Sequence, residues 1–214
     1  MLAPIDIALQ ALARGEMIVV VDDEDRENEG DLLMLAEYAD AKSIAFMAVH
    51  GRGLVCLALD SGICEHLDLP LMTQCNRSRT GTAFTVSIEA ATGVTTGISA
   101  ADRARTIAVA IDPASRPHDL ARPGHVFPLR ARTGGVLERP GHTEAAVEFA
   151  TLLNKRPAGV ICEIMNDDGT MARRPDLEIY CQRHGLIMTS VAQLVEYRRH
   201  LISKVDAHLS AMVH

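Results

Sequence analysis

Ten consecutive residues hold the densest charge in the chain: Asp22-Asp23-Glu24-Asp25-Arg26-Glu27-Asn28-Glu29-Gly30-Asp31. Seven of the ten are carboxylates, and the runs on either side, 17–21 and 32–35, are apolar enough to lie in a core. A charge run that merely faces solvent belongs on a helix face or at a chain end. Packing like charges between buried segments costs free energy unless a cation or a ligand offsets it. Hard oxygen donors at this density suit Mg²⁺, which takes one or two protein carboxylates and fills its shell with water and substrate. A calcium loop counted from Asp25 fails, because its twelfth position is Ala36, where a bidentate Glu is required.

A second segment, Arg139-Pro140-Gly141-His142-Thr143-Glu144, stands directly before a helical stretch at 145–153. Free N–H groups at a helix start attract an anion, and Gly141 lets a ligand approach the main chain. Arg139 would give a phosphate a charged fork, Thr143 a hydroxyl or an N-cap, and His142 a metal ligand or a proton-transfer group. Taken alone, the same residues also make a plain helix start with an incidental His. A third segment, Arg122-Pro123-Gly124-His125-Val126-Phe127-Pro128-Leu129, sets an imidazole in a proline-stiffened loop, where it can act as acid or base near neutral pH. Glu163 sits in the apolar run Gly159-Val160-Ile161-Cys162-Glu163-Ile164. A carboxylate there must be paired, metal-bound or protonated.

The elements that must position these groups alternate. Ile5, Ala8, Leu9 and Leu12 repeat at helical spacing before Gly15. Strands are expected at 17–21, 32–35, 54–59, 84–88 and 159–164, and helices at 41–49, 103–111, 143–153, 175–184 and from Ser190 to about His200. Ser99 with Asp102 and Ser190 with Gln193 have the form of capping boxes. Residues 112–141 contain five prolines, which argues against long regular elements there. The expected fold is one compact α/β domain of mixed α+β character over 1–205, a mixed sheet flanked by helices on its faces, with a fraying tail at 206–214.

The balance of 21 basic against 28 acidic residues, net −7, with 3% aromatics and no Trp, argues against nucleic acid. No segment approaches a membrane span, and the start lacks the pattern of a signal peptide, so a cytoplasmic location is expected. Five cysteines without a C-x-x-C pair point to reduced thiols.

Joined in order, the acidic segment, Thr95-Thr96-Gly97-Ile98-Ser99-Ala100, residues 122–129, Gly141-His142-Thr143-Glu144-Ala145 and residues 159–163 resemble 3,4-dihydroxy-2-butanone 4-phosphate synthase of riboflavin biosynthesis. The resemblance runs from about residue 4 to residue 200. It implies a lyase that converts D-ribulose 5-phosphate to L-3,4-dihydroxy-2-butanone 4-phosphate and formate through an enediol, a dehydration and a skeletal shift. It implies Mg²⁺, with Mn²⁺ as a substitute, on Glu27 and His142. Substrate contacts would fall on Arg26, Glu27, Asp31, Thr96, Glu163 and the phosphate stretch Arg139, Pro140, Gly141, His142 and Thr143. His125 and Glu163 would be essential to catalysis, with Glu29, Asp31 and Cys56 as further active-site positions. It also implies a homodimer with active sites at the subunit interface, and no fused GTP cyclohydrolase II domain in a chain of this length. Pro140 departs from the Ala usual at that place, and the expected consequence is a stiffer loop. Two other readings share the ligand types: a metal-dependent ketose-phosphate isomerase, which releases no formate, and a non-catalytic sugar-phosphate or cation-binding module, which has no need of His125 and Glu163.

Overall fold

The computed structural model describes the backbone of residues 1–212 and the side chains of residues 1–204. The tail expected at 206–214 lies outside the residues whose side chains are described. Seven strands, β1 (Ile18–Val21), β2 (Gly30–Leu35), β3 (Cys56–Leu59), β4 (Ile88–Ala90), β5 (Leu120–Arg130), β6 (Ala158–Glu163) and β7 (Met188–Ser190), form one sheet in the order β4-β5-β3-β6-β2-β1-β7. β1 runs parallel to β7 and β3 to β5, and the remaining pairs are antiparallel.

The sheet is buried on both faces, which is why its central strands read as unbroken apolar runs rather than alternating ones. Val19, Val21, Leu32 and Met34 point to one side. There they meet Ile44 of α2 (Ala41–Phe46), Ile63 of α3 (Ser61–His66), Ile107 of α4 (Ala100–Ile111) and Leu177 of α6 (Arg174–His184). Ile18, Val20, Leu33 and Leu35 point to the other side. Their partners are Ala8 and Leu12 of α1 (Ile5–Ala13), Phe149 of α5 (His142–Leu152) and Leu194 of α7 (Val191–Met212). Phe149 is fully buried, and truncation to Ala there would cost about 3–5 kcal/mol. The expected mixed sheet between helical layers is what forms.

Two expectations need correction. Residues 84–88 do not make a strand throughout: Phe84 and Thr85 form only isolated bridges, and regular pairing begins at Ile88. The proline-rich stretch does contain a long element, the eleven-residue β5, which passes through both Pro123 and Pro128. Prolines are tolerated in strands where no ladder N–H is needed. Pro128 offers only its carbonyl, to the Thr85 N–H at 3.0 Å, and Pro123 lies where the pairing with β4 shifts register. The Ser190–Gln193 box forms reciprocally. At α4, Ser99 caps Asp102 N–H, while the Asp102 carboxylate turns back to the preceding loop instead.

Candidate active site

β1 and β2 pair antiparallel, so the acidic segment is the connection that turns the chain between two central strands. Asp22 organises that turn. Its fully covered side chain accepts from the amides of Glu27 (3.2 Å) and Glu29 (2.8 Å) and from Arg26 Nη1 (2.6 Å). Asn28 adopts a left-handed conformation at φ 54°, one that Asn tolerates well. Asp23, Glu24 and Asp25 face solvent, as an ordinary charge run does, whereas Glu27, Glu29 and Asp31 turn inward. The segment is therefore divided between a solvated rim and a working interior.

The inward carboxylates line a cleft of about 240 Å³. Around it stand Arg26, Glu27, Glu29, Asp31, Cys56, Ser78, Thr80, Thr82, Phe84, Leu129, His142, Thr143, Ile161 and Glu163. Larger clefts exist among the described residues, one of about 670 Å³ between the N-terminus and α6 and one of about 370 Å³ lined by Arg52, Asp167, Asp168, Asp176 and Arg183, but neither joins buried carboxylates to a buried imidazole.

His142 opens α5 and is buried. Its Nε2 lies 3.1 Å from the Val20 carbonyl, which can only accept, so that nitrogen carries the hydrogen. Nδ1 is left facing Asp31 Oδ1 at 3.7 Å and Glu27 Oε2 at 3.9 Å. One oxygen each from Asp22 and Glu27 and a His142 nitrogen lie within 4.8 Å of one another. Asp22 is committed to the turn, and Glu27 Oε2 also accepts from Arg26 Nη1 at 2.6 Å, so a cation held by Glu27 and His142 would share Glu27 with that guanidinium.

The electrostatics fit a cation site. Burial pushes the Asp31 carboxyl up to about 8, with the charges of Glu163 and Glu27 adding to burial and His142 opposing it. Asp31 Oδ1 is buried without a hydrogen-bond partner. Glu27 is held down to about 2, chiefly by the facing His142 imidazole and, less, by Arg26. Burial works against a charged His142, but Asp31 and Glu27 outweigh it and bring the ring up to about 9. Burial raises Glu29, with the neighbouring Glu27 charge adding to it. A cleft that gathers Glu27, Glu29 and Glu163 around one buried carboxyl oxygen without a partner is a setting that a divalent ion relieves.

Gly141, not Thr143, is the N-cap of α5, and no side chain caps the first turn. A Cβ on Gly141 would lie 2.5 Å from Arg139 Nη1 and 2.8 Å from Arg26 Nη2, so two guanidinium groups flank the helix start. This is a place for an anion. Arg139 is less free than its position in the sequence implies: Nη1 pairs with buried Glu144 at 2.6 Å, and Nη2 donates to Thr80 O and Thr82 Oγ1. Pro140 lies inside a tight turn in which Gly141 N–H donates to Arg139 O at 2.8 Å.

Glu163 ends β6, and its Oε2 accepts from Leu54 N–H at 2.8 Å. A Cβ on Gly53 would lie 2.5 Å from that same oxygen, so glycine is what lets the backbone close over the carboxylate. Cys56 is buried opposite Ile161, and burial drives its thiol well above the ordinary range, with no cation beside it. It is a poor nucleophile there.

Thr96 and His125 do not line the cleft. Thr96 is exposed on the loop before α4. His125 projects from β5 with 44% of its side chain exposed and Nδ1 2.8 Å from Glu89 Oε1. The sequence reading passed over Asp22 as the organiser of the turn, and also Glu144, Glu89 and the Ser78, Thr80 and Thr82 wall. Those hydroxyls sit in a stretch without periodicity, so only three-dimensional proximity picks them out.

The family model described as 3,4-dihydroxy-2-butanone 4-phosphate synthase matches residues 6–197. The synthase of that name from Agrobacterium fabrum is 54% identical over 196 residues, covering 92% of this chain and 92% of the relative. The one from Pseudomonas syringae pv. tomato is 53% identical over 213 residues, 98% of this chain, and this chain spans 58% of that longer protein. A solved 3,4-dihydroxy-2-butanone 4-phosphate synthase in complex with two magnesium ions has a TM-score of 0.88 at 40% identity, covering 92% of this chain and 97% of that one. Likeness in residues and in backbone over nearly the whole length has one meaning: the chain belongs to the 3,4-dihydroxy-2-butanone 4-phosphate synthase family.

Proposed function

We propose that the protein converts D-ribulose 5-phosphate to L-3,4-dihydroxy-2-butanone 4-phosphate and formate, with Mg²⁺ or, in its place, Mn²⁺. The observation that carries this reading is the convergence of Glu27, Asp31, Glu163 and His142 in one cleft beside a helix start flanked by Arg26 and Arg139. Glu27 and His142 would hold the cation, whose chemistry when bound is to polarise adjacent substrate oxygens and stabilise negative charge developing on them.

The residues divide the remaining work. The α5 N–H groups and the two guanidinium groups bind the phosphate and fix the register of the carbon chain. Asp31, kept protonated at neutral pH by burial, can deliver a proton in the cleft, whereas Glu163, held by Leu54 N–H, can accept one. Such a pair suits a reaction that forms an enediol, expels the C1 hydroxyl as water, shifts the skeleton and adds water to release C4 as formate. Glu29 extends the carboxylate wall, and buried Cys56 closes its floor as a neutral thiol.

The active form in this reading is a homodimer whose sites lie at the interface. Thr96 and His125 stand outside the cleft of their own chain, His125 with a free imidazole edge, and a second copy can present them to it. A cytoplasmic location accords with five free cysteines, four of them buried. Among the described residues no helix is long and apolar enough to cross a membrane.

The test is formate release from ribulose 5-phosphate, with and without EDTA, followed by Mg²⁺ add-back. Formate that disappears with EDTA and returns with Mg²⁺ supports the reaction and its metal together. A folded protein that makes no formate sinks the reading, and a product with all five carbons would point to isomerisation.

A further inference from the structure

Glu89 is the residue on which the outlying half of the site is built. β4 and β5 pair as Ile88↔Val126 and then, after a shift, as Glu89↔Ala121, so residues 122–125 bulge from β5 with nothing opposite them. Bulges re-aim side chains, and this one ends in His125. Gly124 presses the bulge onto β4: a Cβ there would lie 2.1 Å from the Ile88 carbonyl carbon and 2.4 Å from Glu89 N. Gly124 N–H also donates to Ser87 Oγ at 3.1 Å. The backbone thus sets His125 beside Glu89, whose Oε1 lies 2.8 Å from His125 Nδ1.

The same carboxylate supports the loop that carries Thr96. At Gly97, φ is 88°, and a Cβ would lie 1.0 Å from Glu89 Oε1, so the loop rests directly on that oxygen. Asp102 holds it from the other side, accepting from Thr95 Oγ1 at 2.7 Å and Gly97 N at 3.0 Å.

We propose that Glu89 is a positioning residue for His125, accepting the Nδ1 hydrogen so that the neutral ring keeps its Nε2 lone pair turned outward for proton transfer, while its other contacts fix the Thr96 loop alongside. This rests on the reaction proposed above and on His125 taking part in it. A carboxylate behind an imidazole selects one tautomer and one ring orientation. His125 Nε2 has no hydrogen-bond partner among the described residues, which leaves that edge available.

The test joins kinetics to spectroscopy. Glu89→Gln, nearly isosteric, is expected to lower kcat about 10- to 100-fold, with KM and Mg²⁺ affinity unchanged within about twofold. Glu89→Ala should cost more, because the Thr96 loop loses its support as well, and in a His125→Ala background Glu89→Gln should lower the residual turnover by less than about twofold, because the two residues act as one unit. In ¹⁵N-histidine spectra His125 is expected as the Nδ1–H tautomer in the wild type and to lose that preference in both Glu89 variants. Wild-type kcat in Glu89→Gln, a wild-type His125 bearing Nε2–H, or full additivity with His125→Ala would each overturn the proposal. Wild-type protein that makes no formate would instead remove the reaction itself, so the two failures are told apart.

Discussion

Asp31 and Glu163 are directly opposed across the β2–β6 ladder, in register, with the ends of both strands at the cleft. Two carboxyl groups on neighbouring central strands cannot both carry charge cheaply. The structure separates them by environment. Leu54 N–H stabilises Glu163 at its strand end, whereas Asp31 is enclosed and its Oδ1 has no partner. Of the two, it is Asp31 that burial inclines to hold its proton.

That separation gives stability a pH dependence. Asp31 moves from 3.8 to about 8 and His142 from 6.5 to about 9, both upward on folding. Groups raised on folding stabilise below their unfolded values, and the contribution is lost as pH rises through the folded ones. Glu27, lowered from 4.5 to about 2, acts oppositely and only in acid. Without metal, the melting temperature should fall from about pH 5 to pH 9, and Asp31→Asn should flatten the part of the fall below pH 8. Thermal unfolding in EDTA across that range checks it; a melting temperature that climbs toward pH 9 would exclude the assignment.

Glu27→Gln and His142→Asn should each weaken Mg²⁺ binding by at least about 10-fold and abolish metal-dependent formate release, with the fold retained. In the metal-free protein His142 is protonated at neutral pH, so a cation taking its Nδ1 must displace a hydrogen. Calorimetric titration of Mg²⁺ in buffers of different ionisation enthalpy should therefore reveal proton release in the wild type and distinctly less in His142→Asn. Equal metal affinity in either variant takes that residue out of the site.

Arg139→Ala separates anchoring from architecture. The guanidinium is 15% exposed and Glu144 only 1%, and they meet at 2.6 Å. Removing one partner of a buried pair leaves an uncompensated charge, which costs about 3–5 kcal/mol. The variant should melt well below the wild type and, where still folded, show a raised KM. Arg139→Ala with Glu144→Gln should recover most of the stability but not the KM. If the double variant regains KM as well, Arg139 serves architecture alone.

Much of this was legible because local patterning and global fold agree. The apolar runs of β1, β2 and β6 could only be strands buried on both faces, and helical spacing with its caps marked α1, α4 and α7. The acidic segment was identifiable as a site because seven carboxylates between two such strands need a reason. What stayed hidden depends on long-range register. β5 was missed because prolines count against strands until one knows that Pro128 serves as an acceptor and that Pro123 falls in a bulge. Asp22 reads like any other carboxylate until its bonds to the turn amides are seen. Glu89 lies 36 residues from His125, and only the β4–β5 pairing brings them together.

The absence of Thr96 and His125 from the cleft leads to a complementation test of the shared site. Glu27→Gln and His125→Ala should each retain only a trace of wild-type turnover as homodimers. If one chain supplies Glu27 and its partner His125, a heterodimer of the two carries one site with both defects and one with neither. Mixed in equal amounts and allowed to exchange subunits, the two preparations should recover about a quarter of wild-type formate production. A double variant mixed with wild type should instead lose activity on exchange, from about a half to about a quarter, because every heterodimer site then carries one defect. Should the two single variants stay at that trace after exchange is verified, His125 serves the cleft of its own chain, and the homodimer would have to be argued on other grounds.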